Sequence, residues 1–302
     1  MNIMVPVSSK DMVEELCIAG ADELYVGIYD ERWTRIFGNY EEINRMSSFG
    51  KRANVTINEC KEIIERVHSY GKKVYITFNS AVYTEKQTEY IMSLIEKNNF
   101  DNSDGFIISD LGLILKMKKS QYNIILSTMA GLYNSQIIRF YNDMGIQRMI
   151  IPRDVQLNNI ITLVQKFPQI DFEVFIMRNG CKYADSNCMS YHGRKYGSMC
   201  SCIDRQNDSL IFLDESMDAQ WRREVYDNNM LFTRLFHKKA CGLCYVKKLQ
   251  DIGVATVKVV GRADAEMEVL NDIRSIKKLI ENDVDEPISY NNCWYGLNCY
   301  YH

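Results

Sequence analysis

Eight short apolar segments recur along the chain, and longer segments with helical signals separate them. They are IMVPV from position 3, ELYVGIY from 23, KKVYITF from 72, DGFIISD from 104, YNIILST from 122, QRMIIP from 147, DFEVFIM from 171 and ATVKVVG from 255. Segments this short that are apolar at almost every position are typical of strands covered on both faces, as in parallel sheets. The pattern predicts eight strands.

The segments between these strands carry helix boundary signals. TINE at 56–59 and TEKQ at 84–87 have the spacing of capping boxes, and glycines stand at 71, 145 and 253, where a helix end favours a left-handed residue. Strand and helix therefore alternate, which indicates the α/β class. We predict a (β/α)8, TIM-barrel-like fold, with a doubly wound open sheet as the main competitor.

The chain of 302 residues, with four prolines and no obvious linker, is predicted to form one domain over residues 1–283. The longest gap between strands separates the seventh from the eighth. This gap predicts a cysteine-rich insertion at about 177–245. A tail at 284–302, rich in aromatic residues and cysteine, is expected to pack on the domain.

Composition excludes some partners. The hydrophobic share of 46% and the net charge of −3 describe a globular chain without a global electrostatic attraction to nucleic acid or membrane. The sequence has no apolar segment near the roughly 20 residues of a membrane span, and its N-terminus does not read as a secretory signal. We therefore expect a cytoplasmic protein without a membrane partner, whose thiols stay reduced.

Most of the 10 cysteines are concentrated in the predicted insertion. In a barrel, the segment after a strand begins at the C-terminal face, where active sites are built. Four thiolates at one site are the usual ligands of tetrahedral zinc or of a 4Fe–4S cluster. The cysteines of this segment are Cys181, Cys188, Cys200, Cys202, Cys241 and Cys244.

The spacing of these cysteines favours a cluster over zinc. A zinc ribbon needs two C-x2-C pairs, and here only Cys241 and Cys244 have that spacing. Iron–sulfur is therefore the preferred reading and zinc the alternative metal. A simpler alternative is that several of these thiols are small buried side chains, which we expect for Cys17 and Cys60 on apolar helix faces.

Polar residues follow several predicted strands and would lie at the C-terminal face. Asn79, Arg153, Lys258 and Arg262 are candidate ligands of a carboxylate or phosphate, because arginine offers a planar fork for such groups. Each of them could instead be a strand-end cap or part of a salt bridge.

No catalytic residue is evident. Weak candidates are His192, Arg153 and Asp110, where His192 could act as a base near Cys188 or simply be a polar loop residue or a donor to the cluster. The sequence contains neither G-x-S-x-G nor H-E-x-x-H, so serine hydrolase and zincin mechanisms lack support.

The stretch FEVFIMRNGCKYADSNCMS at 172–190 resembles the signature of the peptidase U32 family, in which an E-V-F-V strand precedes two cysteines seven positions apart and a serine. The resemblance extends to AGADELYVG at 19, GKKVYITFNS at 71, LSTMAGLYN at 126, IPRD at 151 and GLCYVKKLQDIGVATVKVVGR at 242. Residues 177–180 read MRNG where the family has His-Gly-Ala-Leu, and Val260 replaces a glutamate. This chain therefore looks like a divergent, short member.

The resemblance implies a 4Fe–4S cluster on Cys181, Cys188, Cys200 and Cys244, with Cys202 as the alternate for Cys200. It also implies a small carboxylate such as prephenate as a cosubstrate. Members of the family support oxygen-independent hydroxylation of RNA or of a quinone precursor, some work in pairs, and others carry the name of collagenase-like peptidase, a hydrolase.

Three functions follow as hypotheses. The first is an iron–sulfur protein that assists an oxygen-independent hydroxylation, or a related modification, of RNA, a small molecule or a peptide. The second is a U32-type peptidase. The third is a non-enzymatic zinc- or cluster-binding partner protein. Short basic patches, at 116–119 and at 222–223 with 238–239, are candidate contacts for RNA phosphate, although such patches are usually solvated helix faces.

Overall fold

The computed structural model describes residues 1–38, 41–181, 185–188, 239–281 and 299–301. Eight parallel strands form a closed barrel in chain order, with the last strand paired to the first. The predicted (β/α)8 fold is confirmed, and the open doubly wound sheet is excluded. The strands are β1 Asn2–Val7, β2 Glu23–Gly27, β3 Lys73–Phe78, β4 Gly105–Ile108, β5 Ile124–Leu126, β6 Arg148–Ile150, β7 Asp171–Met177 and β8 Thr256–Val259.

Helices surround the barrel and are numbered here through the described residues only. They are α1 Val13–Ala19, α2 Glu31–Phe37, α3 Ile57–Ser69, α4 Glu85–Asn98, α5 Leu111–Lys119, α6 Ser135–Asp143, α7 Leu157–Lys166, α8 Val246–Asp251 and α9 Glu266–Glu281. Short 3₁₀ turns lie at Lys10–Met12, Ser47–Arg52, Phe100–Asn102, Thr128–Ala130, Asp185–Asn187 and Leu243–Tyr245. Most of the predicted insertion, including Cys200, Cys202 and His192, lies outside the described residues.

The predicted helix boundaries have identifiable hydrogen bonds. At α4, Thr84 Oγ1 accepts from the Gln87 amide at 3.4 Å while the Thr84 amide donates to Gln87 Oε1 at 2.7 Å, which completes a capping box. At α3, Thr56 caps the Glu59 amide, but the Glu59 carboxylate accepts from the Lys10 amide instead. Only half of the capping box predicted there is formed.

The apolar core lies between the strands and the helices, while the barrel interior carries charge. Arg148 on β6 donates to both Glu23 on β2 and Glu173 on β7, the latter at 2.9 Å. Because β2 and β6 are not neighbours in the sheet, these side chains must meet inside the barrel. Cys17 and Cys60 are buried on α1 and α3, as expected for small apolar side chains.

The described ends of the insertion meet at the end of β7. The amide of Arg178 donates to the Ala240 carbonyl at 2.7 Å, and the amide of Gly242 donates to the Ile176 carbonyl at 2.8 Å. Residues 299–301 of the tail pack beside them, with the Tyr300 amide donating to the Cys241 carbonyl at 3.0 Å. No helix in the described part of the chain is long and apolar enough to cross a membrane.

Candidate functional site

The described cysteines of the insertion lie at the C-terminal face of the barrel. Cys181 and Cys188 follow β7, and Cys241 forms a β-bridge with Met177 at the end of that strand. Cys244 is exposed in the 3₁₀ turn just before α8. Two pairs of cysteines, one from each end of the insertion, therefore occupy the face on which barrel enzymes build their sites.

One of these sulfurs, that of Cys188, accepts a hydrogen bond from a charged side chain in the segment between α2 and α3. Nη2 of Arg45 donates to Cys188 Sγ at 2.5 Å, and the amide of Arg45 donates to Asn79 Oδ1 at 3.1 Å. Asn79, a predicted anion ligand, thus holds the backbone that presents Arg45. Arg45 has no sequence motif around it, and sequence reasoning missed it.

Asp185 fixes the loop that joins Cys181 to Cys188. Its carboxylate accepts from Arg153 Nη1 at 3.2 Å and from Thr128 Oγ1 at 2.9 Å. The guanidinium of Arg153 also lies 4.4 Å from the centre of the Phe175 ring. Burial alone would lower the pKa of Arg153. The charge of Asp185, with smaller contributions from Tyr300 and Cys181, outweighs this effect, so the pKa of Arg153 is raised. The cysteine loop is therefore tied to the ends of β5 and β6.

Arg262, just after β8, is buried among neutral oxygens. Its Nη1 donates to Asn44 Oδ1, Asn54 Oδ1 and Thr77 Oγ1, each at 3.2 Å. No carboxylate of the described residues lies within salt-bridge distance of the guanidinium, and Arg262 is only 5% exposed. Burial lowers the pKa of Arg262 to about 10, with a smaller opposing effect from Tyr25 and Glu42.

Gly27, the last residue of β2, makes room for this arginine. A methyl group at Gly27 would lie 1.8 Å from Arg262 Nη1 and 2.3 Å from Asn54 Oδ1. Any side chain there would displace the guanidinium. Sequence reasoning found Arg262 but missed Gly27 and the three oxygens, because no local pattern links residues so far apart in the chain.

Two other predicted site residues make structural contacts. Lys258 lies inside the barrel, where its Nζ is 2.8 Å from Glu173 Oε1 and 4.1 Å from the centre of the Tyr25 ring. Asp110 caps α5 by accepting from the Leu113 amide at 2.8 Å, and it also accepts from the Tyr83 amide at 3.2 Å. Of the predicted cationic anion ligands, Lys258 and Arg153 are paired with carboxylates, whereas Arg262 has no carboxylate partner among the described residues.

The donor types at this face suit a cysteine-ligated metal centre. Thiolate sulfur is the usual ligand of iron–sulfur clusters. A hydrogen bond to a ligand sulfur, like that from Arg45 to Cys188 Sγ, would tune the reduction potential of such a cluster. Within the described ranges, no group of three Cys, His, Asp or Glu side chains is arranged to hold a metal ion. The other predicted ligand, Cys200 or Cys202, lies outside those ranges.

The family model described as "Peptidase family U32" matches residues 8–295. The chain belongs to peptidase family U32. The resemblance seen in the sequence is thereby confirmed, and it covers most of the chain.

Three relatives of this U32 protein carry two different names. The tRNA hydroxylation protein P of Haemophilus influenzae is 32% identical over 93 residues, which are 30% of this chain and 19% of that protein. The protein of the same name from Helicobacter pylori is 27% identical over 165 residues, 53% of this chain and 39% of that protein. A collagenase of Porphyromonas gingivalis is 22% identical over 293 residues, 92% of this chain and 65% of that protein.

The U32 protein spans less than two thirds of the length of each of these relatives. Among solved structures, the U32 peptidase Mk0906 superposes with a TM-score of 0.46 at 10% identity, covering 59% of this chain and 69% of that one. A thiamine phosphate pyrophosphorylase from Pyrococcus furiosus superposes with the same TM-score at 9% identity, covering 92% and 94%.

Proposed function

We propose that this U32 protein holds a 4Fe–4S cluster at the C-terminal face of its barrel and assists an oxygen-independent hydroxylation, with RNA as the substrate class. Cys181, Cys188 and Cys244 would be ligands, together with Cys200 or its alternate Cys202. When bound, the cluster would supply one-electron redox chemistry. A small carboxylate such as prephenate would be the cosubstrate.

The observation that carries the proposal is the placement of a buried, carboxylate-free arginine at the same barrel face as the cysteines. Arg262 donates through Nη1 to three neutral oxygens, and no described residue accepts from its Nε or Nη2. A guanidinium with donors left over can bind a carboxylate through charge-assisted hydrogen bonds, which are stronger in a buried site than in bulk water. This arrangement supports an anionic cosubstrate.

The residues around the arginine would orient that anion. Asn44, Asn54 and Thr77 hold the guanidinium in one position, so little conformational entropy is lost when the anion binds. Arg153, fixed by Asp185, adds a second positive charge next to Cys181. The two arginines would place the anion near the cysteines, and the buried setting would exclude water from it.

RNA is favoured as the substrate class by the names of the relatives from Haemophilus influenzae and Helicobacter pylori. The basic patch at 116–119 does not serve this site. Lys116, Lys118 and Lys119 lie in the last turn of α5, which ends at the opposite, N-terminal face of the barrel. Of the second patch, residues 222, 223 and 238 lie outside the described residues, so the RNA contact surface is assigned to neither patch.

The test is nucleoside analysis of RNA from an anaerobic bacterial host that lacks its own members of this family. Expression of the chain should produce a hydroxylated nucleoside, detected as the mass gain of one oxygen atom. The Cys188→Ser variant should abolish the product, while Cys17→Ser, a buried cysteine on α1, should retain it. RNA without any new hydroxylated nucleoside in cells that contain the folded, cluster-loaded protein would contradict the proposal.

A peptidase remains the second candidate, because the Porphyromonas gingivalis collagenase aligns with 92% of this chain. A thiol peptidase needs a histidine beside its cysteine. The one histidine in the described ranges, His68, is bonded to Asp104 at 2.9 Å and lies at the N-terminal face, away from the cysteines. Peptide cleavage that depends on His192 and survives iron chelation would favour this alternative.

A further inference from the structure

Two cysteines that the proposed cluster does not use lie side by side at the barrel mouth. Cys241 belongs to the described end of the insertion, and Cys299 belongs to the C-terminal tail. They are partners in a parallel β-bridge, and the amide of Tyr300 donates to the Cys241 carbonyl at 3.0 Å. Residues 299 and 300 are thus paired with residue 241 at the end of β7.

Pairing in a β-bridge brings two cysteines into the range of Cα separations in which a disulfide can form. Residues paired across neighbouring strands have Cα atoms roughly 4.8 Å apart, and the side chains of a bridge pair project from the same side. A disulfide needs a Cα separation of about 4.4 to 6.8 Å with Cβ atoms that do not point apart. Both cysteines are partly exposed, so a small oxidant can reach them.

The tail is anchored next to this pair by two tyrosines. The hydroxyl of Tyr300 donates to the Arg178 carbonyl, and that of Tyr301 donates to the Phe175 carbonyl on β7. A methyl group at Gly242 would lie 2.7 Å from the Tyr301 ring, so the ring is seated directly on the backbone of that glycine. These contacts hold Cys299 in register with Cys241.

The same tail residues lie close to the candidate site. Burial raises the pKa of the Tyr300 hydroxyl. The positive charge of Arg153 lowers this pKa, whereas the charges of Asp185 and Cys181 raise it further. A covalent link between the tail and residue 241 would therefore fix Tyr300 beside the cysteine loop.

We propose that Cys241 and Cys299 form a redox-sensitive dithiol, whose oxidation to a disulfide fixes residues 299–301 to the end of β7. The oxidant is a low-molecular-weight disulfide such as oxidised glutathione. One cysteine thiolate attacks the glutathione disulfide, forms a mixed disulfide and releases one glutathione thiolate. The second cysteine thiolate attacks the protein sulfur of that mixed disulfide and releases the second.

The exchange balances without another reactant. Two protein thiols lose two electrons and two protons, and one molecule of oxidised glutathione becomes two molecules of the thiol form, which take up those protons. The amide of Tyr301 donates to Cys299 Sγ at 3.3 Å, a contact that would stabilise negative charge on the sulfur during the exchange. Excess reduced glutathione would reverse the reaction.

The test is disulfide mapping of the full chain after equilibration with oxidised glutathione, alkylation of remaining thiols and trypsin digestion. The expected product joins peptide 240–247 to peptide 279–302. Each of these peptides contains two cysteines, so fragmentation must assign Cys241 rather than Cys244, and Cys299 rather than Cys293. Assignment of the link to either of the other cysteines, or absence of the link, would overturn the proposal.

A melting experiment provides an independent readout. Oxidised protein should melt several degrees above reduced protein, because a cross-link between distant residues restricts the unfolded chain. The rise should disappear in Cys241→Ser and in Cys299→Ser and persist in Cys17→Ser. The mapping uses the unaltered chain, so a folding defect in a variant cannot decide it. Equal melting of the oxidised and reduced unaltered chain would contradict the proposal.

Discussion

Gly27 and Arg262 are in such close contact that no side chain fits between them. A methyl group on Gly27 would lie 1.8 Å from Nη1 of the guanidinium. We therefore expect Gly27→Ala to displace Arg262 and to lower the free energy of unfolding by about 1–3 kcal/mol, the usual cost of overpacking. Prephenate should no longer raise the melting temperature of this variant, as measured by calorimetry.

The matched control for this substitution is Gly112→Ala in the first turn of α5. A methyl group there meets only Asp110 Oδ1, at 3.2 Å, and alanine favours a helix by up to about 1 kcal/mol over glycine. This variant should keep both its stability and its response to prephenate. An unchanged response in Gly27→Ala would show that the arginine does not need its present position.

Replacing Arg262 by glutamine tests the arginine directly. Its pKa is about 10 in the folded chain against an ordinary 12.5, so its charge costs folding on the order of 3 kcal/mol at neutral pH. This cost is present below pH 10 and disappears as the pH rises from about 10 to 12.5. Arg262→Gln removes this cost but also loses the three hydrogen bonds to Asn44, Asn54 and Thr77, at about 1 kcal/mol each. The variant should therefore be within about 1 kcal/mol of the parent in stability, yet show no stabilisation by prephenate.

Arg178 is a suitable control because it is paired with acids, Asp272 and Glu268, the latter at 2.8 Å. Arg178→Gln leaves the buried Asp272 without its partner and should lower the free energy of unfolding by about 3 kcal/mol. It should nevertheless bind prephenate. If both variants bind prephenate equally well in isothermal titration, Arg262 is not the anion site.

Arg45→Met tests the hydrogen bond to Cys188. A hydrogen bond from a charged donor contributes about 1.5–3 kcal/mol, and on the sulfur of a cluster ligand it favours the reduced, more negative state. Its loss should shift the midpoint potential to more negative values, by up to on the order of 100 mV. A redox titration followed by electron paramagnetic resonance measures this shift, and Arg45→Lys should recover part of it. Equal potentials in all three proteins would exclude Cys188 as a ligand.

The Glu173–Lys258 pair should make the free energy of unfolding fall at acidic pH. Burial opposes ionisation of Glu173, but Lys258 and Arg148 outweigh burial and lower its pKa below the ordinary 4.5. This contribution is fully present above pH 4.5 and is lost as the pH falls through the lower, folded value. Glu173→Gln should lower the free energy of unfolding by about 3–5 kcal/mol at pH 7 and weaken its acid dependence. Urea unfolding at several pH values measures both effects, and an unchanged acid dependence would contradict the assignment.

The eight strands could be predicted because each is short and apolar at nearly every position. This apolar pattern could not show how deep in the barrel a charged side chain lies. Lys258 and Arg262 are four residues apart around the end of β8, yet Lys258 reaches inward to Glu173 while Arg262 reaches Asn44 and Asn54 at the mouth. Which neighbour a charged side chain meets depends on the register of distant strands.

Some predictions from short sequence patterns failed because contacts with residues distant in the sequence decide what a side chain does. Glu59 has the right spacing to complete a capping box with Thr56, but the Lys10 amide occupies its carboxylate. Asp110 follows a strand like a site residue, yet it caps α5. Arg45 was not predicted because it contacts Cys188, which is 143 residues away in the sequence. No motif around either residue points to the other.

The central claim is that this U32 barrel carries an iron–sulfur cluster, and metal content tests it most directly. Iron, zinc and acid-labile sulfide should be measured on protein purified without oxygen, together with its visible absorbance. We predict a brown protein with equal amounts of iron and sulfide, corresponding to one 4Fe–4S cluster per chain. A colourless protein with stoichiometric zinc and no sulfide would contradict the claim.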